Sequence, residues 1–249
     1  MPGSESAPWA VRIVSRPDVH VWCVALDVDA GELQRLRATL SADEIARAER
    51  FVRQRDSEHF IAARGALRSV LAGYLGVRPD EVAFGYGERG KPTLAEQFAD
   101  REIRFNLSHS HGLALLAVTR GREVGIDVEF IERKLEHEQI ATRFFSASEC
   151  EELLALPPAQ RSEGFFRCWT RKEAYIKALG EGLSHPLADF DVTLTPGVPA
   201  RLLGTRRDPA AVARWEMLDL TPRPGYAGAL VLAMEAAPPA WPLEAVADR

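Results

Sequence analysis

The hydrophobic and polar positions of the chain follow two periods, one typical of buried strands and one typical of helices. Apolar and β-branched residues dominate 19–28 (VHVWCVALDV) and 124–130 (VGIDVEF), which predicts two buried strands. Apolar positions three and four residues apart predict long helices over 57–76 and 166–183. Residues 102–121 predict a strand, a polar turn and an apolar strand. The pattern therefore indicates a mixed α+β chain.

The signals of the first half recur in the second half. Ser41 and Ser146 each begin a Ser-Ala-x-Glu helix start, a capping box, at an offset of 105 residues. The same offset lays the two predicted strands, and the two long helices, over one another. We predict two similar α+β subdomains, 11–120 and 121–236, that form a pseudo-dimer with a ligand cleft at their interface. The ends, 1–10 and 237–249, are expected to be loosely held tails.

Composition narrows the class of protein. The chain has 249 residues and a net charge of −5, which disfavours a general nucleic-acid binder. It has no apolar run long enough for a membrane span and no secretory signal at its start, so we expect no membrane partner and a cytoplasmic location. Only four of the 31 basic residues are lysine. Where Arg is the default, a lysine hints that a position needs a compact ammonium group.

Two acidic residues interrupt the predicted strand at 124–130. Side chains alternate along a strand, so Asp127 and Glu129 point to the same side. Two carboxylates at such a distance repel each other unless a cation joins them. The alternative on these residues alone is a strand edge with a solvated acidic face.

Three further polar groups are candidates for chemistry. The helix at 166–183 places Trp169, Glu173 and Lys177 on one face, although an ordinary surface ion pair is an equal alternative. The segment NLSHSHG (106–112) offers a hydroxyl and an imidazole for phosphate oxygens, or is simply a hydrophilic hairpin. Basic residues crowd the first-half helices, where most are expected to be solvated. The candidates from these groups are Ser108, His109, Lys172, Arg47, Arg53, Arg64 and Lys91.

Together the groups favour one kind of chemistry. Clustered carboxylates suit a hard cation such as Mg²⁺, which completes its shell with phosphate and water. No His/Cys set has zinc-like spacing, and neither a Walker A motif nor a G-x-G-x-x-G motif is present. We therefore expect a Mg²⁺-dependent protein that grips a polyphosphate ligand.

Several short motifs in fixed order make a more specific pattern. They are GKP (90–92), FNLSHS (105–110), GIDVE (125–129), RFFS (143–146) and WTRKEAYIKALGEGL (169–183). Over roughly residues 40–192 this combination resembles the Sfp-type 4′-phosphopantetheinyl transferases. The resemblance implies the transferase fold, a pseudo-dimer of two α+β subdomains with coenzyme A at their interface. It also implies transfer of the phosphopantetheine arm to a serine of an apo carrier protein, with release of 3′,5′-ADP.

The same resemblance implies roles for individual residues. The metal ligands it implies are Asp127, Glu129 and Glu173. The contacts to coenzyme A are Ser108, His109, Lys91, Arg64 and Lys177, to which Lys172, Arg53 and Arg47 are added as weaker matches. Glu173, directly or through a water, is expected to take the proton of the carrier serine. Lys177 is expected to stabilise or protonate the departing phosphate.

Two other functions remain open from the sequence. A non-catalytic homologue would bind coenzyme A or a carrier protein without turnover. A Mg²⁺-dependent phosphohydrolase would release phosphate without any carrier. The sequence does not identify the acyl or peptidyl carrier, and a monomer is expected because the two-subdomain form of the family commonly acts alone.

Overall fold

The computed structural model describes residues 9–87, 90–132, 136–180 and 185–234. Those ranges contain six α-helices and eleven strands. The helices are α1 (Ala30–Arg37), α2 (Ala42–Ala48), α3 (Gln54–Leu75), α4 (His137–Phe144), α5 (Ala147–Ala155) and α6 (Pro158–Leu179). The strands are β1 (Ala10–Ser15), β2 (Val19–Ala25), β3 (Phe84–Tyr86), β4 (Pro92–Leu94), β5 (Ile103–Ser110), β6 (Leu113–Arg120), β7 (Val124–Phe130), β8 (Phe190–Val192), β9 (Leu202–Thr205), β10 (Trp215–Leu220) and β11 (Tyr226–Ala233). The α+β class predicted from the sequence is confirmed.

Two antiparallel sheets form the centre of the molecule. The first has the strand order β1-β2-β6-β5 and the second has the order β10-β11-β7. The order β2-β6-β5 in the first half therefore matches β7-β11-β10 in the second. Two small hairpin sheets, β3-β4 and β8-β9, follow the long helices α3 and α6.

The sheets pack on each other and carry helices on their outer faces. Leu113 and Leu115 of the first sheet meet Ile126 and Leu230 of the second in one apolar cluster. On its other side the first sheet packs against α3, and the second sheet packs against α6. The central strands β6 and β11 are buried on both faces, which explains why their sequences are near-continuous apolar runs.

Both predicted capping boxes are present. The backbone N–H of Ser41 donates to Glu44 Oε2 at 2.9 Å, and the N–H of Ser146 donates to Glu149 Oε2 at the same distance. The helices that follow, α3 and α6, each have 22 residues. They end at Gly76 and Gly180, both left-handed with φ of 70°. Only glycine adopts this conformation without a Cβ penalty. The second helix therefore ends at Leu179, short of the residue 183 predicted from its periodicity.

A glycine in β7 sets the distance between that strand and α6. A Cβ atom added at Gly125 would lie 2.0 Å from the carbonyl oxygen of Ala174 and 2.4 Å from the backbone nitrogen of Ala178. Any side chain here would therefore push the helix away from the strand. The close approach brings the last turns of α6 beside the acidic residues of β7.

Several expectations need correction. Ser108 and His109 lie within β5, not in a turn, because the hairpin bends only at His111 and Gly112. The sequence RGKPTL (89–94) is typical of a turn because of its Gly and Pro, yet its last three residues form β4. Trp9 is buried and Ala10 begins β1, so these two residues are not a loose tail. Residues 1–8 and 237–249 lie outside the described residues.

Two other expectations concern the boundary between the subdomains and the presence of a membrane span. The division into subdomains at residues 120 and 121 stays a prediction. None of the helices in the described ranges is long and apolar enough to span a membrane.

Candidate active site

The acidic residues of β7 lie beside β5 and the end of α6. Asp127 is 3% exposed. Its Oδ1 accepts hydrogen bonds from Ser108 Oγ at 2.7 Å and from Lys177 Nζ at 2.6 Å. Its second oxygen, Oδ2, is buried and has no hydrogen-bond partner among the residues that the structure describes. Leaving a buried carboxylate oxygen without a hydrogen-bond partner is costly. This atom is therefore a candidate contact for a bound ion.

Two half-buried glutamates accompany Asp127. Burial is the main cause that raises the pKa of Glu129, and the charge of Asp127 adds to it, while the Ser110 hydroxyl opposes the shift. Burial also raises the pKa of Glu173, again with help from Asp127 and against the opposing charge of Lys177. Raised values in neighbouring carboxyl groups are typical of functional clusters.

Lys177 is the cation nearest to these carboxylates. Besides Asp127 it donates to Ser108 Oγ at 3.0 Å, and its side chain is 28% exposed. The ammonium group therefore lies between β5 and β7 at a partly open edge. Of the residues predicted to share one face of this helix, Lys177 contacts Asp127, and Glu173 is near enough for the charge of Asp127 to shift its pKa.

His109 and His59 lie at the same edge. The pKa of His109 is lowered, first by loss of surrounding water and then by the charges of Lys177 and His59. His59, in α3, has its Nε2 2.8 Å from Asp27 Oδ1, and Arg55 is 3.5 Å from the same atom. Sequence reasoning missed His59, since nothing in its helical pattern distinguishes it from a surface residue.

Lys172 lies away from the cleft. Its side chain is 0% exposed and forms an ion pair with Glu149 at 2.8 Å. Its ammonium group also donates to the carbonyl oxygens of Leu187, at 2.8 Å, and Phe190, at 2.5 Å. These partners explain why a lysine is present. A contact between Lys172 and coenzyme A stays a prediction that this position does not support.

Lys91 is likewise engaged by the protein. Its Nζ donates to the carbonyl oxygen of Lys177 at 2.7 Å and to that of Val124 at 3.3 Å, and it lies 3.6 Å from Glu123. Burial lowers the pKa of Lys91. The structure brings it to the end of α6, behind the carboxylates, and its proposed contact with the nucleotide is untested.

The first-half arginines form a separate group. Arg64 contacts Glu44 and Tyr86 and lies over the ring of Phe84, with 4.0 Å between its guanidinium carbon and the ring centroid. Arg47 and Arg53 are exposed on α2 and just before α3. Arg47 lies over the ring of Phe60, and neither its contact nor those of Arg64 involve the carboxylates of Asp127, Glu129 and Glu173. Their roles as coenzyme A contacts stay predictions.

The carboxylates of Asp127, Glu129 and Glu173 suit a hard cation that takes its remaining oxygen ligands from a bound phosphate. In the ranges that the structure describes, no three His, Cys, Asp or Glu side chains surround one point closely enough to hold a metal ion. Asp127 nevertheless offers a buried, unpartnered oxygen, and two glutamates stand beside it. Mg²⁺ is usually bound by one or two carboxylates together with substrate phosphates and water. Its site therefore does not need a complete set of ligands from the protein.

A cavity of about 560 Å³ opens next to this cluster. Ala227, which lines it, is the strand partner of Glu129. Its other walls include Phe130, Tyr226 and Arg167. None of the predicted site residues lines the cavity, so the chemistry is assigned to the carboxylate edge and not to this space.

Comparisons with known proteins identify the family. Residues 123–231 match the family model of the 4′-phosphopantetheinyl transferase superfamily, and residues 29–120 match the model "4′-phosphopantetheinyl transferase, N-terminal". The chain is 45% identical to the 4′-phosphopantetheinyl transferase HetI of Nostoc sp., over 87% of this chain and 88% of that protein.

Two Bacillus subtilis proteins are also similar. A 4′-phosphopantetheinyl transferase is 35% identical over 67% of this chain and 72% of its own length. The transferase Sfp is 31% identical over 66% of this chain and 70% of its own length. The chain belongs to the 4′-phosphopantetheinyl transferase family. It is therefore a transferase whose substrates are coenzyme A and a carrier protein, and the non-catalytic alternative is not favoured.

Proposed function

We propose that Asp127, Glu129 and Glu173 bind Mg²⁺ together with the phosphates of coenzyme A, and that this site moves the 4′-phosphopantetheine arm to a serine of an apo carrier protein. The observation that carries the metal assignment is the buried Oδ2 of Asp127, for which the described part of the chain supplies no hydrogen-bond partner. When bound, Mg²⁺ would neutralise charge on the pyrophosphate oxygens.

Glu173 suits the role of general base. Its pKa, raised by burial, brings the carboxyl group closer to the pH at which an enzyme works, and its side chain is only half-buried. In the proposed reaction Glu173 accepts the proton of the carrier serine, directly or through a water molecule. The serine oxygen then bonds to the β-phosphorus of coenzyme A, and the bond from that phosphorus to the bridging oxygen breaks.

Lys177 and the neighbouring residues of β5 would serve the phosphates. Lys177 stabilises or protonates the departing phosphate of 3′,5′-ADP, since its ammonium group already lies beside Ser108 and Asp127. Ser108 and His109 contact the phosphates of coenzyme A. Arg64 and Lys91 contact the nucleotide, with Arg53 and Arg47 as outer contacts.

The setting of the reaction also belongs to the proposal. We infer a monomer with subdomains 11–120 and 121–236, working in the cytoplasm on an acyl or peptidyl carrier. Neither nucleic acid nor a membrane is expected as a partner, given the net charge of −5.

The test uses apo carrier proteins from several biosynthetic systems. Each is incubated with the enzyme and coenzyme A, with Mg²⁺ or with EDTA, and is analysed by intact-mass spectrometry. We expect the mass of one phosphopantetheine group to be added with Mg²⁺ only. Equal transfer in EDTA would reject the metal assignment, whereas no transfer to any carrier would reject the transfer reaction. Phosphate released from coenzyme A without a carrier would indicate a phosphohydrolase instead.

A further inference from the structure

A row of buried polar side chains joins two strands that belong to different sheets. β5 and β7 run side by side in the same direction, yet β5 is the edge of the first sheet and β7 is the edge of the second. The row lies on one face of β5 and consists of Asn106, Ser108 and Ser110, which are 6%, 7% and 8% exposed. Polar side chains this deeply buried must have partners inside the protein.

Two side chains of the row accept hydrogen bonds from backbone N–H groups of β7. Asn106 Oδ1 accepts from the backbone N–H of Ile126 at 2.8 Å. Ser110 Oγ accepts from the N–H of Phe130 at 3.1 Å. Side-chain oxygens of β5 thus satisfy edge donors of β7 at both ends of the contact.

The hydroxyl protons of the row point to the acidic residues. Ser108 Oγ donates to Asp127 Oδ1 at 2.7 Å, and Ser110 Oγ donates to Glu129 Oε2 at 2.7 Å. His111 Nδ1 is also near Ser110 Oγ, at 3.3 Å. A hydroxyl has a single proton, and the shorter contact assigns it to Glu129. The serines at i and i+2 of β5 therefore match the carboxylates at i and i+2 of β7.

We propose that Ser110 is a positioning residue that holds the Glu129 carboxylate in the orientation needed for Mg²⁺, as Ser108 holds Asp127. The inference rests on the proposed metal ligands. One oxygen of each carboxylate accepts a hydrogen bond from a buried hydroxyl of β5, which leaves the other oxygen available as a metal ligand. Partners that orient metal ligands in this way commonly affect metal affinity on the order of 10-fold to 100-fold when they are removed.

A purely structural role for Ser110 makes a different prediction. In that case the hydroxyl only closes the contact between two sheets, and its loss lowers stability without any specific effect on metal binding. Thr119 in β6 supplies a matched control. It is 0% exposed, and its Oγ1 donates to the carbonyl oxygen of Arg122 at 2.6 Å, so it is another buried strand hydroxyl with a backbone partner.

The experiment measures metal binding without turnover. Mg²⁺ is titrated by calorimetry into protein saturated with coenzyme A, with no carrier present, for wild type, Ser110→Ala, Ser110→Thr and Thr119→Val. We expect Ser110→Ala to raise the Kd for Mg²⁺ on the order of 10-fold. Ser110→Thr keeps the hydroxyl and should recover most of the affinity. Thr119→Val should lower the thermal midpoint and leave the Kd unchanged.

The outcomes separate this inference from the metal assignment. A wild-type Kd in Ser110→Ala, or an equal loss of affinity in Thr119→Val, would overturn the positioning role while the metal ligands stand. If the wild-type protein binds no Mg²⁺ with coenzyme A present, the metal ligands themselves are wrong and the positioning role falls with them. A larger Mg²⁺ requirement for transfer in Ser110→Ala, met by raising the Mg²⁺ concentration, would support the same conclusion from kinetics.

Discussion

The two long helices, α3 and α6, have the same construction and different chemistry. Each has 22 residues and ends at a left-handed glycine. Eight residues before that glycine, each buries a cation that binds the glutamate of the preceding capping box: Arg68 binds Glu44 at 2.7 Å, and Lys172 binds Glu149 at 2.8 Å. Each cation also donates to carbonyl oxygens of the segment that follows its helix.

The difference lies one position further along each helix. Glu173 follows Lys172, whereas Ser69 follows Arg68, and its hydroxyl only donates to the carbonyl oxygen of Gly65 at 2.8 Å. Lys177 likewise has Gly73 as its counterpart, three residues before the final glycine. Both helices thus contain the same kind of buried ion pair. The residues proposed for catalysis, Glu173 and Lys177, lie in α6 and have no charged counterparts in α3.

The largest expected effect is a loss of activity when Glu173 of α6 is replaced, with no loss when its counterpart in α3 is replaced. Glu173→Gln should lower kcat/KM for carrier modification by on the order of 10²–10⁴, the usual contribution of a general base, with further loss if a metal ligand is removed. Ser69→Ala, its counterpart, should leave kcat/KM unchanged. Intact-mass time courses measure both variants, and circular dichroism confirms that they are folded. Wild-type activity in Glu173→Gln would remove that residue from the mechanism.

The second effect tests what the helices share. Lys172→Met leaves the buried Glu149 without the cation that binds it, so it should lower the free energy of unfolding by about 3–5 kcal/mol. Arg68→Met leaves Glu44 paired with Arg64, so its loss of stability should be smaller. Urea denaturation measures both. Folded Lys172→Met should still bind coenzyme A with wild-type Kd. A stable Lys172→Met protein with weakened coenzyme A binding would instead support the direct contact that the sequence suggested.

A third prediction concerns the close approach of α6 to β7. Gly125→Ala places a methyl group against the backbone of Ala174 and Ala178, so it should lower the free energy of unfolding by about 1–3 kcal/mol. It should also move Lys177 away from Asp127 and lower kcat. Gly204→Ala is the control, because no atom lies within 4 Å of a Cβ at that position. Equal stability of the two variants would show that α6 does not need this contact.

The smallest effect is a change of stability with pH. The pKa of Glu173 is raised above its ordinary 4.5 in the folded protein. Burial in the folded protein therefore favours the neutral form of Glu173. The stability that this neutral carboxyl group contributes is present at low pH and is lost as pH rises through the raised pKa. Without Mg²⁺ at pH 8, Glu173→Gln should therefore raise Tm, by about 2–4 °C for each kcal/mol that the substitution gains in a chain of this size.

The same variant provides its own control at low pH. At pH 4 the wild-type carboxyl group is already protonated, so the difference in Tm should disappear. Scanning calorimetry across this range measures both values. A Tm difference that is constant with pH would show that charge burial at Glu173 is not its cause.

Local signals predicted much of the scaffold. The two capping boxes, the end of the first long helix at Gly76 and the buried strand at 124–130 depend on neighbouring residues, and these features were recognised correctly. Lys172 shows the limit of helical periodicity. It lies next to Glu173 in the sequence, but the period alone does not say which flank of the helix faces the protein interior.

Contacts between distant strands were the harder part. Asn106, Ser108 and Ser110 repeat with a period of two, the same period as Asp127 and Glu129. That signal was present in the sequence, yet assigning NLSHSHG to a turn concealed it. The parallel contact between β5 and β7 depends on how two sheets pack, which no local pattern specifies.

The most direct test of the central claim is a crystal structure with coenzyme A and Mn²⁺ in place of Mg²⁺. The account predicts an anomalous peak beside the Asp127 and Glu173 carboxylates, with Asp127 Oδ2 at a coordinating distance of about 2.1 Å and coenzyme A phosphate oxygens completing the shell. A peak at another place on the chain, or bound coenzyme A with no metal at these carboxylates, would contradict it.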